Sequence, residues 1–382
     1  MRVLIAPDKF KHALSARGAA EAIAAGVRDA RHDSQCILLP LGDGGEGTGE
    51  LLAERRGFLE QRTWVSDALG RPIDARWWRS AAGDAAILEA AEAIGLARLT
   101  DAERDARRAS SQGVGQLLRA AEDAGAARIT LCVGGTATVD GGAGCLQALG
   151  WRFFDHSGVE IVAPITPRDL PRVESLKPPE RHGAVARMAL DIVCDVDNPL
   201  LGPQGAARVF GPQKLPTHHT HADVDELESA LAHWARLLER GVGRDVHDIP
   251  GGGAAGGLPA GLAACCGATI LPGRELIAEQ LRAVGDLSSF DLVITGEGRL
   301  DEQTTRGKVV AAVSSEFAAL EIPVVALVGR AAFAADASIA QFANRLRLRQ
   351  IIEISRSEEP IETQRARTAE NLRRAARNVV GP

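Results

Sequence analysis

The sequence predicts an α/β protein of two domains: a Rossmann-like, doubly wound parallel sheet, and an inserted α/β domain with a mixed sheet. At both ends of the chain, short apolar strands alternate with helices, the pattern of a parallel sheet. Between them residues 59–65 and 72–78 read as an antiparallel hairpin, which breaks this alternation. We therefore assign residues 1–58 and 285–382 to the first domain and 59–284 to the second. The functional site is expected in the cleft between them.

The elements follow in chain order. The first domain opens with a strand at 3–6, a helix capped by Ser15 and running to residue 30, a strand at 36–41 and a helix to residue 56. After the hairpin come strands at 85–89, 129–133 and 189–194, helices at 110–124 and 224–240, a short helix that follows the loop at 134–144 and ends at residue 149, and an exposed connection at 164–183. A buried strand at 292–295 and a helix from Lys308 lead into strands at 324–328 and 350–354 and helices at 336–346 and 361–377.

Composition limits the possible functions. The 382 residues carry a net charge of −6 and no Tyr, which argues against a nucleic-acid-binding protein. No apolar run approaches the ~20 residues of a membrane span, and the N-terminal run is too short for a signal peptide. The six cysteines form no CxxC pattern, so free thiols in a reducing cytoplasm are expected and a zinc site is not. His218, His219 and His221 are assigned to a solvated loop. We expect a monomer or homodimer.

Lysine is scarce in this chain. Only five of the 44 basic residues are lysine, and four of these lie in or beside the loops discussed below: Lys9, Lys11, Lys214 and Lys308. A compact ammonium group contacts a phosphate oxygen as a point charge, which a guanidinium does not reproduce. The distribution therefore favours anion-binding roles over chance placement.

The chain has three glycine-rich loops, at residues 42–47, 134–144 and 251–257; the first two follow predicted strands and the third enters a short Ala-rich helix. We call them the first, second and third glycine loops. Singly, each is explained by a tight turn or close packing; together, they offer many unobstructed backbone N–H groups, which a triphosphate requires. The predicted nucleotide-binding residues are Gly44, Gly45, Gly134, Gly135, Thr136, Gly253, Gly296 and Glu297.

The first and third glycine loops both match G-x-G-x-x-G. Asp67 lies twenty residues after the first match, so an NAD-binding fingerprint must be weighed. Asp43 and Glu46 would, however, place carboxylates beside a bare pyrophosphate, a costly arrangement without a cation. Asp43 therefore fits a Mg²⁺-bridged phosphate, or a substrate hydroxyl, better than NAD.

Phosphoryl transfer requires carboxylates for a divalent ion, cations on the phosphates and a carboxylate near the attacking hydroxyl. Asp43, Asp195 and Asp197 are candidates for Mg²⁺ binding. Asp8, Asp43, Asp195 and Lys308 are candidates for catalysis. Substrate binding is assigned to Lys9, Lys11, Lys214, Arg299 and Asp301. For Asp8 and Asp195 the alternative is helix or turn capping. We expect Asp195 or Asp197 to position or deprotonate the hydroxyl, and which aspartate is the base and which is the metal ligand stays open.

Seven segments in chain order resemble the bacterial type I glycerate kinase family: APDKFKHALSA (6–16), PLGDGGEGT (40–48), GGTATVDGGAGCLQALG (134–150), CDVDNPLLGPQGA (194–206), FGPQK (210–214), GGGAAGGLPAGL (251–262) and ITGEGRLDEQTTRGK (294–308). The resemblance implies a two-domain α/β kinase that phosphorylates D-glycerate at the 2-hydroxyl with ATP and Mg²⁺. It weakens at His12, Ala13, Val139 and Leu215, and most after Val328, over residues 329–333.

Two alternatives to this function stay open, and so does the position that is phosphorylated. The product could carry its phosphate on the 3-hydroxyl. The first glycine loop could serve an NAD-dependent hydroxy-acid dehydrogenase, or the chain could be a nucleotide sensor without turnover.

Overall fold

The computed structural model describes residues 1–179, 189–301, 304, 308–332, 338–355 and 360–381. The chain forms two compact units, Met1–Asp43 with Gly273–Pro382, here called the terminal unit, and Gly44–Pro272, the middle unit. The predicted α/β class, with a parallel and a mixed sheet, is confirmed. The boundaries drawn from sequence, after residues 58 and 284, stay a prediction, as does the site between domains.

The terminal unit is built on a five-stranded parallel sheet in the order β13-β12-β11-β1-β2. Its central strands are largely buried, as expected for a parallel sheet with helices on both faces. The elements are β1 Arg2–Pro7, α1 Ala16–Ala30, β2 Gln35–Leu38, α9 Gly273–Arg282, β11 Leu292–Leu300, α10 Val309–Ala318, β12 Val324–Ala331, α11 Ile339–Arg345, β13 Gln350–Glu353, α12 Ile361–Ala366 and α13 Thr368–Val379.

The first and last helices of the chain pack against each other. A Cβ on Gly26 would lie 2.0 Å from the carbonyl oxygen of Arg373, so glycine is needed for this approach. Arg31 Nε also donates to the carbonyl of Val380 at 3.1 Å. The sequence ends are thus joined on one face of the parallel sheet. Ser15 caps α1 as predicted, accepting from Gly18 N at 3.1 Å.

β11 is longer than predicted. The sequence favoured a loop from Gly296 onward, but the strand continues because its pairing with β12 extends to Leu300 and Ala331. Gly296, Glu297 and Arg299 therefore lie on the strand itself. Residues 302, 303 and 305–307 of the motif that follows, and Phe333 of the divergent segment, lie outside the described residues.

The middle unit contains a six-stranded mixed sheet in the order β10-β9-β6-β5-β4-β3 and a two-stranded sheet, β7-β8. The β3–β4 hairpin is antiparallel, as predicted, and β5, β6, β9 and β10 are parallel. The elements are α2 Thr48–Arg56, β3 Leu59–Ser66, β4 Pro72–Arg79, β5 Ala85–Glu89, α3 Ala90–Ile94, α4 Gln112–Asp123, β6 Arg128–Cys132, α5 Ala143–Ala148, β7 Arg152–Phe154, β8 Ser175–Lys177, β9 Ala189–Cys194, α6 Ala206–Phe210, α7 His221–Val242, α8 Leu258–Cys266 and β10 Thr269–Pro272.

Several elements differ from the sequence-based prediction. The connection at 164–183 is not simply exposed: it contains β8, and Ile165, Leu170 and Val173 are buried. Its residues from 180 on lie outside the described part. The strand β10 and helix α9 were missed, because Pro272 and Gly273 interrupt both patterns. Among the described residues no helix combines the length and apolar character needed to cross a bilayer.

Candidate functional site

Three carboxylates lie at the carboxyl ends of neighbouring strands in the terminal unit. Asp8 follows β1, Asp43 follows the segment after β2, and Glu297 lies on β11. The segment between β2 and Asp43 is fixed by Leu41 N donating to Pro7 O at 2.9 Å and by Gln280 Nε2 donating to Gly42 O at 3.0 Å. Asp8, Asp43 and Glu297 form what we call the carboxylate cluster. Ligands of open α/β sheets bind at this edge.

Burial and mutual repulsion raise the pKa values of two members of this cluster, Asp8 and Glu297. Desolvation, and then the charge of Asp43, raise the pKa of Asp8 well above its ordinary value, although part of the Asp8 side chain remains exposed. Desolvation raises the pKa of Glu297 to about 8, against the opposing effects of a hydrogen bond from Thr304 and the charge of Lys308. Thr304 Oγ1 donates to Glu297 Oε1 at 2.8 Å. The cluster can therefore accept or hold a proton near neutral pH.

Basic side chains surround the cluster. Lys308 is the N-cap residue of α10 and is half-buried, whereas Lys11 is exposed. The backbone N of Lys9 donates to Asp8 Oδ1 at 2.6 Å. The remaining predicted pair, the largely exposed Arg299 and the half-buried Asp301, are joined to each other, with Arg299 Nε 3.5 Å from Asp301 Oδ2. All predicted substrate residues except Lys214 thus belong to the terminal unit.

In the middle unit the glycine loops pack on one another. Gly134 N donates to Gly44 O at 3.1 Å, and a Cβ on Gly134 would lie 2.5 Å from the Cα of Gly45. The second and third loops are joined where Gly141 N donates to Gly256 O at 2.9 Å. The glycines here allow segments of backbone to approach closely. This is the close packing that the sequence analysis gave as the alternative explanation for each loop.

The third glycine loop is entirely buried. Gly253 N donates to Asn198 O at 2.9 Å, and a Cβ there would lie 2.0 Å from Pro199 O. In the terminal unit Gly296 is likewise buried, and a Cβ on it would lie 2.2 Å from Leu327 O. At both positions a glycine allows close packing of backbone. Both residues are buried, so their exposure does not support the prediction that they bind the nucleotide.

Exposed backbone is found instead at Gly45, Glu46 and Gly47 of the first loop and at Gly134 and Gly135 of the second. Gly47 is the N-cap residue of α2. The N–H of Gly47 donates to the buried carboxylate of Glu89, the last residue of β5. Thr136, next in the second loop, is buried. Residues 45–47 and 134–135 are therefore the exposed part of the first and second glycine loops.

Lys214 lies beneath the second loop and is only 3% exposed. Its Nζ donates to Thr138 O at 2.9 Å and to Thr136 Oγ1 at 3.4 Å. Desolvation lowers the pKa of Lys214 to about 7, although the nearby charge of Asp140 opposes this shift. The sequence placed this lysine on the substrate and gave no sign of its burial.

Sequence reasoning missed three buried polar groups: Asp140, Glu89 and Thr304. Asp140 accepts hydrogen bonds from Ser111 N (2.7 Å), Ser111 Oγ (2.8 Å), Gly142 N (3.2 Å) and Gly144 N (3.2 Å). Desolvation raises its pKa against these bonds. Two of them carry a signal in the sequence. Glu89 is an acidic residue at the end of an apolar strand, and Asp140 is an acidic residue directly before two glycines.

Asp195 and Asp197 follow β9 in the middle unit, the first half-buried and the second exposed. Asp43, the third predicted Mg²⁺ ligand, lies in the terminal unit. Within the described part of the chain, no three His, Cys, Asp or Glu side chains are gathered to hold a metal ion. Protein-bound Mg²⁺ commonly takes one or two carboxylates, with phosphate and water completing the shell. Oxygen donors of this class therefore fit Mg²⁺ delivered with a nucleotide.

Asp67, which the NAD alternative requires, lies in the turn between β3 and β4. It is buried and accepts from Leu69 N at 2.8 Å, Arg71 N at 2.9 Å and Arg71 Nε at 2.6 Å. These bonds account for Asp67 as a turn-stabilising residue, so the fingerprint lacks its ribose-binding partner.

The comparisons with known proteins agree with one another. The model of the family described as "Glycerate kinase family" matches residues 3–381. The chain is 38% identical to the glycerate 2-kinase of Escherichia coli K12 over 335 residues, 86% of this chain and 85% of that protein. It is 38% identical to the glycerate kinase of Bacillus subtilis 168 over 86% of this chain and 85% of that protein. A crystal structure from Salmonella typhimurium LT2, provisionally named glycerate kinase 2, is 37% identical with a TM-score of 0.80 and covers 100% of this chain and 97% of its own.

Proposed function

The chain belongs to the glycerate kinase family, and from this premise we propose that it transfers the γ-phosphoryl group of ATP to the 2-hydroxyl of D-glycerate. We place the reaction in the cytoplasm, with Mg²⁺ as the accompanying ion. The observation that carries the proposal is the carboxylate cluster, because phosphoryl transfer to an alcohol needs a proton acceptor and negative groups at one sheet edge.

Asp8 is the proton acceptor in this proposal. A carboxylate with a raised pKa is a stronger base, and burial together with the charge of Asp43 raises the pKa of Asp8. Glu297, with its pKa raised to about 8 by desolvation, holds a proton next to Asp8 and so limits the negative charge of the cluster. Lys308 and Lys9 offset the negative charge of the substrate and the transferring group.

The nucleotide is assigned to the exposed backbone of residues 45–47 and 134–135. The candidate oxygen ligands for Mg²⁺ are Asp195 and Asp197 in the middle unit and, as a separate candidate, Asp43 in the terminal unit. The ion supplies charge neutralisation of the phosphates when it is bound. The protein's own contribution is to keep these groups in place before the substrates arrive.

A coupled assay of ADP release tests this function. D-glycerate, L-glycerate and related sugar acids are supplied with ATP and Mg²⁺, and the D-isomer is expected to give the highest kcat/KM. ATP binding without ADP release would favour the sensor alternative. A nicotinamide absorbance change with glycerate, without ADP release, would favour the dehydrogenase.

The phosphorylated position is read from the product by ³¹P NMR. A 2-phosphate couples to the single proton of its carbon and gives a doublet, whereas a 3-phosphate couples to two protons and gives a triplet. We expect the doublet. A triplet would assign the enzyme to the 3-hydroxyl.

A further inference from the structure

Lys214 is the one predicted anion-binding lysine that the structure buries. Its ammonium group donates hydrogen bonds to two atoms of the second glycine loop, Thr138 O at 2.9 Å and Thr136 Oγ1 at 3.4 Å. Only 3% of the residue is exposed. A side chain in this position contacts the buried side of the loop rather than solvent.

The opposite end of that loop is exposed. Gly135 reaches solvent, and Gly134 is bonded to Gly44 in the first loop. Between the exposed end and Asp140 the chain offers Lys214 two acceptors, and Asp140 itself is fixed by Ser111 and by the start of α5. The loop is therefore fixed at two interior positions, at Thr136–Thr138 by Lys214 and at Asp140 by Ser111.

We infer that Lys214 is a positioning residue, which holds the second glycine loop in the shape that presents Gly134 and Gly135 to the nucleotide, and that it does not itself contact phosphate. The expected effect of Lys214 on nucleotide binding rests on the proposed function. Its expected effect on the shape of the loop does not. It replaces the substrate-binding role that the sequence suggested.

Two readouts separate positioning from direct contact. Lys214→Met keeps the length and removes the donor; the loop should loosen, so amide hydrogen exchange over residues 134–144 should rise at least about tenfold. The KM for ATP should rise about tenfold while kcat changes less than about threefold, because the chemical step is untouched. Lys177→Met is the matched control, since Lys177 lies in β8 over the Phe154 ring, away from the glycine loops. A fall in kcat of about a thousandfold would overturn the inference and place Lys214 on the transferring phosphoryl group.

The pH dependence of ADP affinity in the unmodified protein gives the second readout. A neutral amine still donates to Thr138 O, so positioning predicts a constant affinity between about pH 7.5 and 9, where the nucleotide phosphates are already ionised. If the ammonium charge contacted phosphate, affinity would fall in this range as the group loses its proton, since desolvation lowers its pKa to about 7. The charged group facing Lys214 is Asp140. This result is readable even if Lys214→Met does not fold, and Lys214→Arg, which retains donors, is then expected to keep part of the affinity.

Failure of the function and failure of the inference look different. If the protein binds no ADP, the proposed function is wrong, and hydrogen exchange in Lys214→Met still decides whether the lysine holds the loop. If ADP binds but exchange over residues 134–144 is the same in Lys214→Met and unmodified protein, the inference is wrong.

Discussion

In the terminal unit Asp8, Asp43 and Glu297 bring like charges together, whereas in the middle unit Lys214 faces a buried carboxylate of opposite sign. In the first case burial raises the pKa values of Asp8 and Glu297. In the second case burial lowers the pKa of Lys214, while the charge of Asp140 opposes this shift and two hydrogen bonds hold the side chain in place. Like charges held together are poised to exchange protons or bind cations. A satisfied lysine and carboxylate fix backbone instead. The comparison suggests that the terminal unit supplies chemistry and the middle unit supplies a shaped backbone.

Asp8→Asn should produce the largest effect, because it removes the proposed proton acceptor without changing shape. We expect kcat to fall by about 10²–10⁴, with a smaller change in KM. Steady-state kinetics with D-glycerate measures this, and Asp33→Asn, an exposed site in the same unit, serves as the control. A fall in kcat of less than about threefold would show that Asp8 is not the proton acceptor. It would also contradict the idea that the terminal unit supplies the chemistry.

Gly253→Ala tests whether the third glycine loop packs or binds. The new methyl group would lie 2.0 Å from Pro199 O, a backbone atom that cannot move freely. We expect a loss of about 1–3 kcal/mol in the free energy of unfolding, measured by denaturant titration. The KM for ATP should stay within about twofold. Gly381→Ala, where the nearest atom is 3.5 Å away, should change stability little. If the Gly253→Ala protein is as stable as the unmodified protein but binds ATP weakly, Gly253 contacts the nucleotide, as the sequence predicted.

Lys308→Arg probes the ammonium group in the terminal unit. A guanidinium keeps the charge but not the compact contact, so kcat/KM for glycerate should fall about tenfold. Lys177→Arg is the control, and the assay is ADP release at several glycerate concentrations. A change within about twofold, or roughly 0.5 kcal/mol, would show that any cation suffices at this position.

The smallest expected effects are opposite pH dependences of stability. Desolvation raises the pKa of Glu297 from 4.5 to about 8, so the folded state binds more protons and stability falls as pH rises between these values. Desolvation lowers the pKa of Lys214 from 10.5 to about 7, so stability rises with pH from about 7 to 10.5. Glu297→Gln should flatten the first slope and Lys214→Met the second, measured as Tm against pH. Unchanged slopes in both variants would mean that neither group titrates abnormally.

Much of the fold could be predicted from the sequence. β1, α1 with its Ser15 cap, the β3–β4 hairpin and β9 follow the predicted elements closely, since each has a strong local pattern. The family resemblance and the kinase assignment are confirmed. The length of β11 could not be predicted, because Gly296 and Gly298 weaken a strand locally while pairing with β12 sustains it. The last helix divides at Arg367, where Thr368 Oγ1 donates back to Gln364 O at 3.1 Å.

The site was harder to predict than the fold. The sequence names the loops, but a glycine beside phosphate and a glycine beside backbone both require only the absence of Cβ, so Gly253 and Gly45 look alike. Exposure separates them, and exposure is a property of the folded chain. The burial of Lys214 could not be predicted for the same reason. Which aspartate acts as base, and which residues contact ATP, stay predictions for the experiments above.

The position of β1 between β11 and β2 has a consequence for biosynthesis. The ribosome completes β1 and β2 first, but the strand that pairs with the other edge of β1 emerges only after residues 44–272 have been made. At ~5–20 residues per second, the apolar β1 edge waits tens of seconds for its partner while the middle unit can already collapse. We expect nascent chains stalled before Leu292 to expose this edge and to be the forms that chaperones retain.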